Sequence, residues 1–484
     1  MFFFVFIFLE RLSLFVKIDN LFLKSWKYLS WQDSFKNLYR IQLCLYKSLL
    51  VDDINFSLAL QKVLLKSNSI SLIAIREVTQ LDILKTVPGC DGRIYLDFSE
   101  KFDLNNYLKN NLSNWFPTTV RNLLITKKDG TSFFVIVSTI SDRCWQAMLK
   151  YSLVPVYEAL FSFRNFGFRT FNNIFDLQTL LISNLSYQSF GTQKRLISFD
   201  LKHCCDNITV LKLLRKLFLP RNVKLGLFRF FKLGFIPQFY EISNILNFSS
   251  VLTNICFLDV DFIHNSLRFG YNLLFFLKPL DNEVGIVKCL KTVLRKSGLN
   301  FNYTVKFLSS VSGFQYLDWN FSLSYDFAVI CTPSFDNYQS FLRRIKRVVN
   351  NSNYSSTIKS VKLFPIIRDW HYYNRFVNSQ SLRFSLFFVK RRAFKIFNLE
   401  SKQDRYSTKF LINKCFASNS NYSYMYNKSV QDDFIKRHVF FCFDYFSQSQ
   451  SYLKVNFISE KIVGSCSCMC IHCGLYKPLN YFFQ

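Results

Sequence analysis

The residues in this sequence best suited to chemistry are cations set among aromatic rings. Arg343, Arg344, Lys346 and Arg347 form one run, Lys359, Lys362, Arg368, Tyr372, Tyr373 and Arg375 follow, and Lys390, Arg391, Arg392 and Lys395 close the series. Cations track phosphates while rings and guanidinium planes stack on unpaired bases, which suits a folded RNA with open loops. Arg343 and Arg347 stand four apart, so a helix would put both on one face. Trp370 follows the apolar Pro365-Ile366-Ile367 and reads as core. A second cluster, Cys466-Ser467-Cys468-Met469-Cys470-Ile471-His472-Cys473, contains a Cys-x2-Cys step at Cys470 and Cys473, a spacing that holds zinc through thiolates. A four-thiolate site drawn from these neighbours alone is cramped, and the bland reading is a decayed remnant.

Charge narrows the partner. The 484 residues carry 61 Lys and Arg against 32 Asp and Glu, a formal net charge of +29. Such an excess favours a polyanion through counterion release and leaves RNA, DNA and anionic membrane open. From Cys331 to Lys414 there are 17 Lys and Arg against 4 Asp and Glu, so the footprint concentrates there. Phe occurs 58 times and Gly only 13, a bias expected from the codons of an AT-rich genome such as an organelle's. The apolar opening Met1 to Leu9 is far shorter than the ~20 residues a membrane span needs. It has no signal-peptide n-region and no transit-peptide composition, so it reads as a buried segment or a start-codon extension. The cysteines scattered from Cys44 to Cys442 read as buried thiols, not a disulfide scaffold.

The elements that must position these residues follow from periodicity. Trp26 to about Ile75 is helical, without glycine or proline, and ends before the breaker Pro88-Gly89-Cys90-Asp91-Gly92. Leu123 to Thr126 and Phe133 to Val137 read as strands around an Asp-Gly turn. A helix from Ser141 to about Phe161 is expected to break at Pro155, and a short strand ends on Asp200. Segments 267–277 and 313–323 read as strands around a helix at 282–298. From Ser334 to about Phe397 the pattern is basic and helical, with Asn- and Ser-rich loops at 350–356 and 418–429.

Several stretches resemble one family. Thr139-Ile140-Ser141-Asp142-Arg143-Cys144-Trp145-Gln146-Ala147-Met148-Leu149-Lys150-Tyr151, then Pro155 and Glu158-Ala159, resembles the fingers helix of group II intron reverse transcriptases. Phe166-Gly167-Phe168-Arg169 stands at the family's Gly-Phe-Arg motif, and Phe199-Asp200-Leu201-Lys202 at its first palm strand. Trp31, Arg76-Val78-Thr79-Gln80 and Gly89-Cys90-Asp91-Gly92 resemble its N-terminal extension. Pro365-Ile366-Ile367-Arg368-Asp369-Trp370 with Tyr372-Tyr373 resembles its maturase, or thumb, domain. These anchors run in family order from about residue 26 to 445.

The resemblance implies a polymerase site with three Asp, because two Mg²⁺ ions require carboxylate oxygens. Asp200 matches the first. At the Tyr-Ala-Asp-Asp hairpin the sequence reads Arg268-Phe269-Gly270-Tyr271-Asn272-Leu273-Leu274, so both other acids have become Tyr271 and Asn272. Asp259 and Asp261 fall where the family carries non-catalytic acids. The Pro-Gln-Gly-Gly motif survives only as Pro237-Gln238, followed by Phe239 and Tyr240. A basic residue expected after the Asp-Gly turn is replaced around Phe133-Phe134. Asp200 and Asp206 then read as a strand end and a helix cap.

The expected fold is α+β, a right-hand reverse-transcriptase-like fingers and palm followed by an α-helical thumb. Its parts are an N-terminal helical extension (1–85), a degenerate fingers and palm (86–330), a basic maturase domain (331–450) and a Cys-containing tail (451–484) resembling a remnant of an HNH endonuclease domain. The expected function is RNA binding that assists folding and splicing of an organellar group II or group III intron. The protein's own host intron is the expected partner, with no polymerase activity and no stable membrane insertion. No cofactor is required beyond zinc considered at the tail. The plastid is the expected location, with the mitochondrion second. An active reverse transcriptase is the enzyme-class alternative, and a decayed reading frame without function is a third.

Overall fold

The structure, a computed structural model, describes residues 26–416 apart from short segments at 127–131, 170–173, 187–188, 206–207, 236–247, 300–303, 310–311, 324–328, 375–376, 378–379 and 402–404, together with the pairs 468–469 and 476–477. It is a mixed α+β fold. The N-terminal helical reading holds as α1 (Trp31–Leu50), α2 (Ile54–Lys66) and α3 (Asn68–Arg76). On α1 the buried positions Leu38, Ile41, Gln42, Leu45, Ser48 and Leu49 recur at helical spacing, so one face seals against the core. Asp53 starts α2 by accepting a bond from the Phe56 N–H.

A π-helical turn, Glu77–Leu81, continues α3. Glu77 is buried there and accepts from both Lys150 and Tyr151. After α4 (Phe98–Asn111) come the antiparallel strands β1 (Arg121–Thr126) and β2 (Ser132–Val137), as expected; their connecting Asp-Gly turn lies outside the described residues. Helix α5 (Ile140–Leu160) then runs unbroken through Pro155, contrary to the expected interruption. An interior proline costs about 3 kcal/mol. Leu149, Leu153, Val156 and Tyr157 are all buried, and each contributes roughly 1.5–3 kcal/mol. Packing therefore outweighs the lost backbone bond. Gln42 of α1 also donates to the Tyr151 carbonyl at 2.8 Å, tying the two helices together.

Helix α6 (Ile174–Leu185) leads to β3 (Arg195–Asp200), then α7 (Val210–Lys216), α8 (Arg221–Lys232) and α9 (Phe248–Cys256). The N-cap of α7 is Thr209, while Asp206 lies outside the described residues. Strands β4 (Ser266–Phe269) and β5 (Asn272–Leu277), helix α10 (Glu283–Ser297) and β6 (Thr304–Ser309) complete a four-stranded antiparallel sheet of order β4-β5-β3-β6. Alternation along its strands divides two cores. Ile197, Phe199, Leu273, Phe275 and Leu277 join the helical core, whereas Leu196, Leu274 and Phe276 face α6 and a second sheet. Burial on both faces is why β5 reads as an almost continuous apolar run.

The second sheet is antiparallel, β7 (Phe314–Tyr316), β8 (Trp319–Leu323) and β9 (Val329–Pro333). It feeds four helices, α11 (Phe335–Val349), α12 (Ser356–Tyr373), α13 (Gln380–Ser401) and α14 (Arg405–Phe416). Ser334 caps α11 by accepting from the Asn337 N–H. These helices enclose a core of their own, including Phe341, Ile345, Leu363, Ile367, Trp370, Phe397 and Ile412. Trp370 is core, as expected, and stacks on Phe341 at 4.1 Å.

Five of the scattered cysteines, Cys144, Cys204, Cys256, Cys331 and Cys415, are buried, and desolvation pushes the Cys331 and Cys415 thiols up to about 11. The expectation fails at Cys90 and Cys289, which are exposed. Cys90 sits in the Gly89–Gly92 turn, and Cys289 lies off the α10 stripe formed by Leu290, Leu294 and Ser297. The side chain of Cys205, all of Cys442 and both Cys470 and Cys473 lie outside the described residues. In the tail only a two-residue pairing of Cys468–Met469 with Tyr476–Lys477 is described. Among the described residues no single helix is long and apolar enough to cross a bilayer.

Candidate nucleic-acid interface

The β4–β5 hairpin closes in two residues, with Phe269 paired to Asn272 across Gly270-Tyr271. Gly270 has a φ of +61°, which the first position of such a turn demands and a side chain resists. The register of β5 on β3 sets Asn272 directly opposite Asp200. The three positions singled out from the sequence therefore meet at one end of the sheet. Asp200 is exposed there and accepts from the Lys202 N–H at 2.9 Å. The Tyr271 ring instead packs on the helical core, edge-on to Phe257 with centroids 6.2 Å apart. Where a carboxylate would reach a metal, Tyr271 supplies packing and Asn272 a neutral amide. Among the described residues no group of three or more His, Cys, Asp or Glu is placed to hold a metal ion.

The neighbouring acids are committed elsewhere. Asp259 and Asp261 lie in a 3-10 turn, Leu258–Phe262, not in a strand. Asp259 accepts from Lys216 and from Ser297. Asp261 is buried and holds Arg268 through two bonds, to Nε at 2.5 Å and Nη2 at 2.7 Å. Burial pushes the Asp261 carboxyl up, and the guanidinium opposes that shift. Arg268 also donates from Nη1 to Asn254 Oδ1 and to the Gly270 carbonyl, both at 3.0 Å. Asn254 in turn donates to the Gly167 carbonyl. One buried network thus fixes the turn and the Phe166-Gly167-Phe168-Arg169 segment against each other. A Cβ on Gly167 would collide with the Gly270 backbone nitrogen, which explains the glycine there. Arg169 is held by buried Glu158 at 2.7 Å.

Most of the cations singled out from the sequence are displayed on helix surfaces. Arg343, Arg344, Lys346 and Arg347 are exposed on α11, and Arg391, Arg392 and Lys395 on α13, with Lys390 half-buried. Lys362 is exposed on α12 with its Nζ 3.5 Å from the Tyr354 ring centroid. Arg368 is half-buried and paired with Asp369 at 2.7 Å. Arg375 lies outside the described residues.

Two assignments need correction. Lys359 is fully buried, because it falls on the α12 stripe of Leu363, Ile367 and Trp370, and it cannot face RNA. Tyr373 is half-buried and stacks on Trp319 at 4.8 Å and 17°, so its ring joins α12 to the second sheet and one of its faces is already taken. Burial and neighbouring Asp318 push its hydroxyl well above the ordinary tyrosine range. Tyr372 is half-buried, edge-on to Phe175. Side chains at Phe133, Phe134 and the whole segment Pro237 to Tyr240 lie outside the described residues.

Sequence reading missed a cleft between α11 and α13. It has a volume of about 330 Å³ and is lined by Tyr338, Leu342, Ile345, Lys346, Val349, Phe388, Val389 and Arg392. Phe388 is 65% exposed at its mouth. The available signal was two adjacent rings, Phe387-Phe388, directly before Lys390-Arg391-Arg392.

The four-stranded antiparallel sheet that carries this hairpin shares one core with the N-terminal helices, an α+β arrangement compatible with a reverse-transcriptase-like protein. In agreement, residues 26–108 match the family described as the N-terminal domain of reverse transcriptase. The chain is 39% identical over 450 residues to Maturase-like protein 1 of Euglena gracilis, covering 92% of this chain and 96% of that relative. It is also 39% identical over 459 residues to Maturase-like protein 1 of Euglena longa, covering 92% and 97%. The chain belongs to the maturase-like protein family.

Proposed function

We propose that the protein binds an organellar group II or group III intron RNA, its own host intron first, and helps that RNA fold for splicing without polymerising DNA. The carrying observation is the register that faces Asp200 with Asn272 while Tyr271 turns into the core. A lone carboxylate does not hold two divalent ions against water. What remains is a cationic helical surface, the α11 and α13 display, suited to a phosphate backbone.

In this reading residues 86–330 take the place of fingers and palm, and 331–450 that of the thumb, so the catalytic site for splicing belongs to the RNA. No cofactor is required in this reading, and a zinc held by Cys470 and Cys473 of the tail would take no part in RNA binding. Codon-driven enrichment in Phe, with 58 residues, and the two Euglena relatives support an organelle, here the plastid.

Cross-linking in the organelle followed by purification of the protein tests the reading. Intron-containing precursor transcripts should be enriched over spliced ones, and equal recovery of all transcripts would sink it. The purified protein should also fail to extend a primed RNA template with deoxynucleotides in Mg²⁺ or Mn²⁺. Template-dependent extension abolished by Asp200→Ala would restore the enzyme reading.

A further inference from the structure

The cleft between α11 and α13 has an apolar floor and a charged mouth. On α11 its residues are Tyr338, Leu342, Ile345, Lys346 and Val349, a stripe at helical spacing, and Phe388, Val389 and Arg392 face them from α13. None of these residues is acidic. Lys346 and Arg392 are exposed, one on each helix, and Phe388 presents a largely open ring beside them. The volume of about 330 Å³ lies at the low end of the ~300–1,000 Å³ typical of small-ligand pockets.

We propose that this cleft captures one unpaired RNA base, stacked against Phe388, while Lys346 and Arg392 hold the phosphates on either side of it. The proposal rests on the RNA-binding reading above and adds to it the site and the single-stranded character of the contact. Charge complementarity selects the occupant. Arg343, Arg344 and Arg347 on α11 and Arg391 and Lys395 on α13 continue the positive surface beyond the cleft. A polyanionic chain uses that whole surface, whereas an apolar peptide helix would use only the floor. Stacking is the natural role for an exposed ring that lines a cleft together with two exposed cations, because every base offers a π-face and its backbone carries the phosphates the cations attract.

The test uses the full chain and a short single-stranded RNA carrying one 2-aminopurine, with an RNA duplex of equal length as control. Binding should quench the 2-aminopurine fluorescence. Phe388→Ala should weaken single-strand binding about tenfold, as expected for one lost stacking contact, and reduce the quench. It should leave the salt slope and duplex binding unchanged, since no phosphate contact is removed. Phe388→Trp should restore affinity and quench. Lys346→Gln with Arg392→Gln should instead lower the single-strand salt slope by about 1.4, at ~0.7 for each contact.

If Phe388→Ala binds and quenches like the unaltered protein while neutralising the α11 arginines weakens binding, the cleft captures no base and this proposal falls with the RNA-binding reading intact. Equal losses on single strand and duplex would also overturn base capture. An unaltered protein with no affinity for either RNA would overturn both readings.

Discussion

Replacing Asp261 by alanine is expected to destabilise the protein by about 3–5 kcal/mol, because it leaves the Arg268 guanidinium buried without its counter-charge. Both side chains of that pair are only 1% exposed, so water cannot make good the loss. The damage should spread, since Arg268 also holds the Gly270 carbonyl and Asn254, which anchors the segment around Gly167. Urea unfolding followed by circular dichroism measures the effect. The paired change Asp261→Leu with Arg268→Met should recover part of the loss, because it removes the unpaired buried charge but also gives up the Arg268 bonds to Asn254 and the Gly270 carbonyl.

The sign of the change also bears on function. A carboxylate kept for metal binding is commonly a strained, destabilising feature of the metal-free protein, and removing it raises stability. A stabilised Asp261→Ala would therefore reopen the idea that this acid replaces one of the lost metal ligands. A change smaller than about 1 kcal/mol would show that the buried network does not hold the hairpin.

Neutralising Arg343, Arg344 and Arg347 together to glutamine should produce the largest loss of RNA affinity. All three are exposed on α11 and stand in the most basic stretch of the chain. Each phosphate contact contributes ~0.7 to 0.9 to the slope of log affinity against log salt, so three contacts should lower it by roughly two to three. At low salt the affinity should fall on the order of a hundredfold. Thermal stability should stay nearly constant, because isolated exposed charges contribute little to folding. Filter binding across a salt series, paired with thermal melts, separates these quantities. An unchanged slope would place the electrostatic footprint away from α11. A lowered melting temperature with unchanged affinity would make the arginines structural.

What the sequence by itself determined is largely local. Apolar spacing marks α1 to α3, α10 and α11, and the Asp-Gly signal marks the hairpin of β1 and β2, because each pattern is satisfied within one element or between adjacent ones. The motif order carried the family, and the resemblance at Arg268 to Leu274 implied that two of its carboxylates are replaced by Tyr271 and Asn272. The exposure of Arg343, Arg344 and Arg347 was equally legible, since Phe341, Ile345 and Val349 take the buried stripe of the same helix.

Tertiary structure decided the rest, wherever a residue's role depends on a partner distant in the chain. Lys359 counts as one more cation in a basic segment until α14 and the rest of its helical core close over the stripe it shares with Leu363. Tyr373 looks available to a base until Trp319, 54 residues earlier, stacks on it. Pro155 predicts a break, but burial on nearly every side of α5 holds the helix through it. Asp261 could pass for a metal ligand until folding brings Arg268 into the same buried space. The cleft exists only because α11 and α13 meet across an intervening helix, and helical periodicity sets which face of each is apolar without choosing which helices will pair.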